Sequence, residues 1–331
     1  MGSSSRETMN DDALLPPKEK AAVFWHDIEM QWMEAAGFWC LQLHAKSIDA
    51  FNSRFQPRSD DILLASIPKT GTTWLMALCH NILHRRRRHV DENDDALARL
   101  NPHEVVPTLD AFFLADQIQE MLLLEPASSG PGRLFHTHVP SNYLPEAVKD
   151  SRCKVVYVAR NPKDTVASMW HFYNAFFKSD ESPEGRFPVE RAVESFCSGV
   201  MPYGPFYEHV VGYWEESRKR PEEVLFLRYE ELCGDPREQA RKLASFLGRP
   251  FGGDDDDELD EVLWRSSIGR LRDLEVNKSG VWELPNMPKS ALFRKGTVGD
   301  WKNCLTLEMA QRIDQLTRVK LEGTGLSLDE F

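Results

Sequence analysis

The sequence predicts an α/β fold, a single domain with a central parallel sheet flanked by helices. Three observations point there. Apolar runs at residues 62–67, 133–138, 154–159 and 224–228 include continuous stretches, as expected of strands buried on both faces. Helical stretches lie between them, the alternation that joins parallel strands through crossovers. No segment between them is a linker long enough to divide the chain, and 331 residues with 41% hydrophobic content can bury one large core. The expected organisation is a disordered tail over residues 1–20 and one domain over 21–331. No internal repeat is visible.

The tail stays polar from Met1 to Lys20. It has no apolar h-region, and Arg6 stands where a myristoylation signal needs Ser or Thr. The first predicted strand, Ile62 to Ile67, runs into Pro68-Lys69-Thr70-Gly71-Thr72-Thr73-Trp74 and then into a helical pattern from Trp74 to Leu78. Strand, tight turn and helix N-terminus together bind anions, because free N–H groups and the positive end of the helix dipole converge on one spot. Gly71 lets the backbone approach a ligand. Thr72 and Thr73 can cap the helix and donate hydroxyls, and Lys69 adds a full charge. A nucleoside-triphosphatase loop places its lysine after the second glycine. Here Lys69 precedes Gly71, which argues against ATP or GTP hydrolysis. By itself the segment also fits ordinary helix capping.

Arg85-Arg86-Arg87-Arg88 is the one dense basic run. Asp91, Glu92, Asp94 and Asp95 follow it, so it reads as a solvated, charge-balanced loop. Residues 133–138 read as a strand carrying His136 and His138 on one face. No further ligand stands at a metal-binding spacing, so no metal is expected. The strand Lys154 to Ala159 ends in Arg160-Asn161-Pro162-Lys163-Asp164, and a helix carrying Ser168 starts near Lys163. An arginine at a strand's carboxyl end stands where open α/β sheets bind ligands, and its planar fork suits a phosphate. The aromatics from Trp170 to Phe177 suggest either an apolar pocket wall or ordinary core, and Phe112, Phe113 and Met121 to Leu124 are further candidates for a wall. Asp254 to Asp257 read as the acidic start of a helix through Leu263. From Lys278 the chain turns rich in Gly, Pro and Ser. Phe293-Arg294-Lys295-Gly296-Thr297-Val298-Gly299-Asp300-Trp301 then reads as a loop able to fold over an anion.

A net charge of −12 argues against nucleic acid as a partner. No apolar run reaches membrane-spanning length. The six cysteines, Cys40, Cys79, Cys153, Cys197, Cys233 and Cys304, are scattered and form no C-x-x-C pair, as in a reducing, cytoplasmic setting.

Residues 68–74, 157–168 and 293–303, in that order, resemble the cytosolic sulfotransferase family, within it the plant soluble, flavonol-sulfotransferase-like branch. The segments Asn101-Pro102-His103-Glu104, Thr137-His138-Val139-Pro140 and Leu274-Glu275-Val276-Asn277-Lys278 match that branch too, and the likeness runs from about Phe51 onward. The resemblance implies a P-loop-like sulfotransferase fold. It implies transfer of a sulfuryl group from 3′-phosphoadenosine 5′-phosphosulfate (PAPS) to a hydroxyl of a small, aromatic or steroidal acceptor, without a metal. It implies that Lys69, Thr70, Gly71, Thr72 and Thr73 hold the phosphosulfate. Arg160, Ser168, Arg294, Lys295 and Gly296 would hold the 3′-phosphate. Trp74 and Tyr229 would hold the adenine, with Ser266 or Ser267 adding a polar contact. His138 matches the family's base, and Lys69 would neutralise charge on the leaving oxygen.

Three departures stand out. His136 replaces a lysine common in the family, Ile268 replaces a phenylalanine expected beside the adenine, and the family's dimer signature is half altered at Leu307 and Gln311. A monomer or weak homodimer is expected. Relatives in the branch act on flavonols, brassinosteroids, hydroxyjasmonate, salicylate-like phenols, choline or desulfoglucosinolates, and the sequence does not choose among these. Two rival classes remain open at this point: a non-catalytic binder of the phosphoadenosine nucleotide, and a small-molecule kinase.

Overall fold

The computed structural model describes residues 21–24, 28–85, 95–123, 132–175, 185–252, 256–282 and 287–328. The expected tail over 1–20 lies outside them, as do Arg86 to Arg88, Leu124, Phe176, Phe177, Asp254 and Asp255.

The central sheet has four parallel strands: β4 (Ile62–Ser66), β5 (Leu134–Thr137), β6 (Lys154–Ala159) and β7 (Val224–Arg228), in the order β5-β4-β6-β7. These are the four apolar runs of the sequence. They read as continuous because helices cover both faces. The period of two sorts each strand's side chains between two cores. Leu63, Ala65, Phe135, Val155 and Tyr157 enter one core, with Val166 and Met169 of the helix Pro162–Tyr173 and with Val210 and Tyr213 of the helix Phe206–Lys219. Ile62, Leu64, Leu134, Val156 and Val158 enter the other, with Leu75, Cys79 and Ile82 of the helix Thr72–His84 and Leu243 of the helix Pro236–Phe246. A bidentate pair fixes the strand starts: Arg133 donates to both Asp61 oxygens, at 2.8 and 2.6 Å, and Asp61 is buried.

Before this sheet lies an antiparallel one, absent from the sequence reading: β1 (Ala21–Phe24), β2 (Ile28–Met33) and β3 (Phe38–Leu41). It leads through the short 3₁₀ turn Gln42–His44 into the helix Ala45–Arg54. Other boundaries move by a residue or two. The first-motif helix starts at Thr72, not Trp74, and the Arg160 helix starts at Pro162, where proline at the first turn costs no hydrogen bond. The acidic helix runs Asp256–Ser266, past Leu263. β5 stops at Thr137, one residue before His138. The loop of the third motif is bracketed by 3₁₀ turns at Lys289–Leu292 and Asp300–Asn303. Arg85, the described part of the basic run, donates to the Pro250 carbonyl and stacks 4.1 Å over the Phe251 ring. Among the described residues, no helix is long and apolar enough to cross a membrane.

Candidate active site

In the order β5-β4-β6-β7 the chain leaves β4 on one side for β5 and returns on the other as β6. The crevice beyond the carboxyl ends of β4 and β6 is therefore the topological switch point. The first two motifs are the loops that leave these strands. A cavity of about 970 Å³ opens there.

The β4 loop turns sharply. Lys69 takes a positive φ of 73°, and Gly71, at the N-cap of the next helix, one of 118°. A side chain on Gly71 would also meet the Tyr229 ring, with a Cβ 2.7 Å from its Cδ2. The loop's hydroxyls are committed to holding it. Thr70 is buried and donates to the carbonyls of Ile67 (2.8 Å) and Val158 (3.0 Å), so its side chain braces the turn and does not face the cavity. Thr72 Oγ1 pairs with Ser66 Oγ at 2.6 Å, and Thr73 Oγ1 with His103 Nε2 at 3.0 Å. The first N–H groups of the helix, which have no intrahelical acceptor, are left for a ligand; Gly71, Thr72, Thr73 and Trp74 all line the cavity.

Lys69, Arg160, Arg294, Lys295, Ser168 and Gly296 line it as well, so the three motifs meet. Arg160 extends over the Tyr229 ring at 4.4 Å and donates to the Thr297 carbonyl at 2.9 Å, joining the second motif to the third. The Nε donors of Arg160 and Arg294 are buried without a protein acceptor. Buried donors are normally satisfied, so these two ask for an anion. Burial, aided by the like charges of Arg160 and Arg294, pushes the Lys69 ammonium down to about 7. Arg294 and Lys295 are held by Asp300, which Lys295 reaches at 2.7 Å. Burial opposes ionisation of Asp300, but hydrogen bonds from Lys295, Arg294 and Asn303 outweigh it and hold its carboxyl well below the usual range.

Trp74 and Tyr229 meet edge to face, with ring centroids 5.6 Å apart. Ile268 packs against Gly296 so closely that a Cβ there would lie 2.4 Å from Ile268 Cδ1. A neighbouring hollow of about 620 Å³ shares Trp74, Ile268 and Gly296 with the main cavity. These aromatic and aliphatic faces suit a flat base. Of the serine pair, Ser267 lines this hollow and caps the next helix, while Ser266 is buried against the Val262 carbonyl (2.8 Å) and Asn81 (2.9 Å).

His138 also faces the cavity. Its Nδ1 lies 2.7 Å from the Ser66 carbonyl, an acceptor only, so Nδ1 carries the proton and Nε2 the free lone pair. Burial pushes its pKa below the ordinary 6.5 and Lys69 adds to this; Asp110 and the Ser66 carbonyl oppose it. The ring is a neutral acceptor at neutral pH. Its backbone N–H donates to buried Asp110 at 2.8 Å, which ends β5 and turns the imidazole outward. His136, expected on the same face, is buried instead between Ser66 Oγ (3.1 Å) and Thr108 Oγ1 (3.4 Å).

The rest of the cavity is mostly apolar. Phe172, Tyr173, Ala175 and Phe112 line it as anticipated, with Ile118 and Leu41 added. Phe113 is core, packed on Phe51 and Phe55. Trp170 donates to the Phe187 carbonyl at 2.7 Å, and Met121 packs on the core. Asp110, Tyr203 and His44 were missed. They lie outside the motifs and reach the site only through tertiary contacts. Asp164 and Asp300, by contrast, lie inside the second and third motifs. Among the described residues, no group of three or more His, Cys, Asp or Glu could hold a metal ion.

The family model for the sulfotransferase domain matches residues 59–325. "Cytosolic sulfotransferase 5" of Arabidopsis thaliana is 41% identical, over 88% of this chain and 88% of its own length; "Cytosolic sulfotransferase 8" of the same plant is 43% identical, over 88% and 86%. Among solved structures, an Arabidopsis thaliana putative steroid sulphotransferase superposes with a TM-score of 0.69 at 30% identity, covering 98% of this chain and 100% of that one. A mouse sulfotransferase complexed with PAP does so with a TM-score of 0.67 at 26% identity, covering 89% and 95%.

Proposed function

The chain belongs to the sulfotransferase family, and on that premise we propose that it moves the sulfuryl group of PAPS to a hydroxyl of a small, apolar-bodied acceptor, with His138 as the base and Lys69 at the leaving group. The relatives named cytosolic support a place in the cytosol. PAP in the mouse relative supports the nucleotide, and the orphaned Arg160 and Arg294 donors fit its phosphates.

PAPS, when bound, supplies the group that is transferred. Everything else falls to side chains of this chain. Arg160, Ser168, Arg294, Lys295 and Gly296 surround one anionic end; Lys69 and the N–H groups of Gly71 to Thr73 surround the other. Trp74 and Tyr229, packed edge to face on each other, would contact the adenine from one side. His138 Nε2 takes the acceptor's proton as its oxygen attacks sulfur. Lys69 and the helix N-terminus hold the negative charge that develops as the sulfur–oxygen bond to the phosphate breaks; such preorganised donors act where charge appears.

The observation that carries the reading is the 2.7 Å bond from His138 Nδ1 to the Ser66 carbonyl. It leaves the lone pair on Nε2, as the proposed base needs, and a protein that only bound the nucleotide would need no such arrangement. The test is His138→Ala. The variant keeps the rise in melting temperature with PAP, since ligand binding to the folded state raises it by mass action. It loses transfer by about 100- to 10,000-fold, the usual contribution of a general base. Unchanged transfer removes His138 from the chemistry. Wild-type protein that binds PAP yet transfers to no hydroxyl acceptor would be a nucleotide binder only.

A further inference from the structure

Asp110, 0% exposed, serves two groups at once. One oxygen accepts the His138 backbone N–H at 2.8 Å, and the other accepts the Tyr203 hydroxyl. The Tyr203 proton is therefore spent on a carboxylate, and its oxygen is left as an acceptor. The other partner of that oxygen is His44 Nδ1, at 3.4 Å. An acceptor opposite Nδ1 requires an N–H there, which leaves His44 Nε2 with the lone pair. His138 reaches the same state through Ser66. Both imidazoles thus take the same tautomer, and both line one cavity. Both also touch Tyr203, whose ring centroid lies 5.1 Å from that of His138. Around His44 the wall is apolar: Leu41, Leu43 and Ile28 line the cavity, and the Phe112 ring stands edge-on with centroids 6.2 Å apart. Burial pushes the His44 pKa below 6.5, with Asp110 opposing and His138 adding to the depression.

A single base suffices to deprotonate one hydroxyl. We propose that His44 is a specificity-determining residue: its Nε2 accepts a hydrogen bond from a second hydroxyl of the acceptor, so that the preferred acceptor is an apolar, dihydroxylated molecule with one hydroxyl at His138 and another at His44. The proposal rests on the sulfotransferase reading above. A monohydroxylated analogue leaves the His44 lone pair facing an apolar surface. A site built to receive a hydroxyl rejects an analogue that lacks it more strongly than an apolar pocket rejects an added one.

The test compares diols with monohydroxyl partners, using PAPS as donor: catechol and resorcinol against phenol, and dihydroxybiphenyl against hydroxybiphenyl. Wild-type protein favours at least one diol by about tenfold or more in kcat/KM, the size of one hydrogen bond. In His44→Leu and His44→Phe that preference falls to about twofold or less, while turnover of the monohydroxyl partner and the PAP-induced rise in melting temperature stay. His44→Gln, whose amide oxygen also accepts, regains part of the preference. The phenylalanine variant keeps a ring against Phe112 and decides the matter should His44→Leu fail to fold. Equal rates on diol and monohydroxyl partner in the wild type, or a preference that survives both substitutions, overturns the proposal. If none of these phenols is sulfated although PAP binds, while a monohydroxyl steroid is, the proposal is overturned and the sulfotransferase reading stands; if no hydroxyl acceptor of either kind is sulfated, both fall.

Discussion

Asp164 Oδ2 accepts the backbone N–H of Gly299 at 2.7 Å. Its other oxygen accepts that of Trp301 at 3.0 Å, and its carboxylate lies 3.7 Å from the Arg160 guanidinium. One buried side chain of the second motif therefore anchors the backbone of the third. Gly299 adopts a φ of 80°, a turn that presents its N–H to the carboxylate. Arg294 and Lys295 lie just before this anchor and are held by Asp300 within it.

Removing the anchor should loosen the cations without touching the base. Asp164→Ala leaves the N–H groups of Gly299 and Trp301 without their acceptor, and each orphaned group costs about 1–3 kcal/mol. We expect PAP to bind about 10- to 100-fold more weakly, with a lower melting temperature. Transfer at saturating donor stays near the wild-type rate. Calorimetric titration with PAP measures the first effect, and an unaltered dissociation constant would show that the loop keeps its place by other contacts.

A pH dependence follows from Lys69. Burial, then the charges of Arg160 and Arg294, bring its pKa to about 7, so in the nucleotide-free protein half the lysine is neutral there. An anion beside it favours the ammonium, which raises the pKa in the complex. Binding then takes up a proton. The affinity is full below about pH 7 and falls as pH rises above it, by up to about tenfold per unit. PAP titrations across that range, repeated on Lys69→Arg, check this. Arginine stays charged throughout, so its profile should be flat, and equal slopes for both proteins would refute the assignment. Transfer has a separate acid limb. Burial keeps His138 neutral below 6.5, so the rate is lost only as pH falls through that lowered value.

What could be read from the sequence divides along physical lines. Ile62–Ser66 and Lys154–Ala159 were visible because both faces of each strand are buried, which writes a run of apolar residues into the chain. The phosphate-type loops were visible because a positive φ at Gly71 and a cation at a strand end are local features. The antiparallel strands Ile28–Met33 and Phe38–Leu41 were not: the first is unevenly buried, the second is only four residues long, and both draw their stability from packing on residues far along the chain. Asp110 was invisible for the same reason. Its three-way contact with His138, Tyr203 and, through Tyr203, His44 spans 28 and 93 positions, and no spacing marks it.

The two histidines of β5 and its exit carry the last prediction. A period of two would put His136 and His138 on one face, and their rings are indeed close, with centroids 4.3 Å apart. Their fates differ because Asp110 captures the His138 N–H and ends the strand, while His136 stays inside it, 0% exposed. His136 Nε2 meets Ser66 Oγ, whose other partner is Thr72 Oγ1 at the start of the helix Thr72–His84. It thus braces the loop from behind through Ser66 and Thr72. His136→Leu removes the hydrogen bonds to Ser66 and Thr108 and should lower stability by about 1–3 kcal/mol. Because the ring does not reach the cavity, transfer should fall by less than about tenfold, well short of the loss in His138→Ala. A loss as deep as that of His138→Ala, in protein that still binds PAP, would place His136 in the chemistry and would mean that the buried ring turns toward the acceptor during transfer.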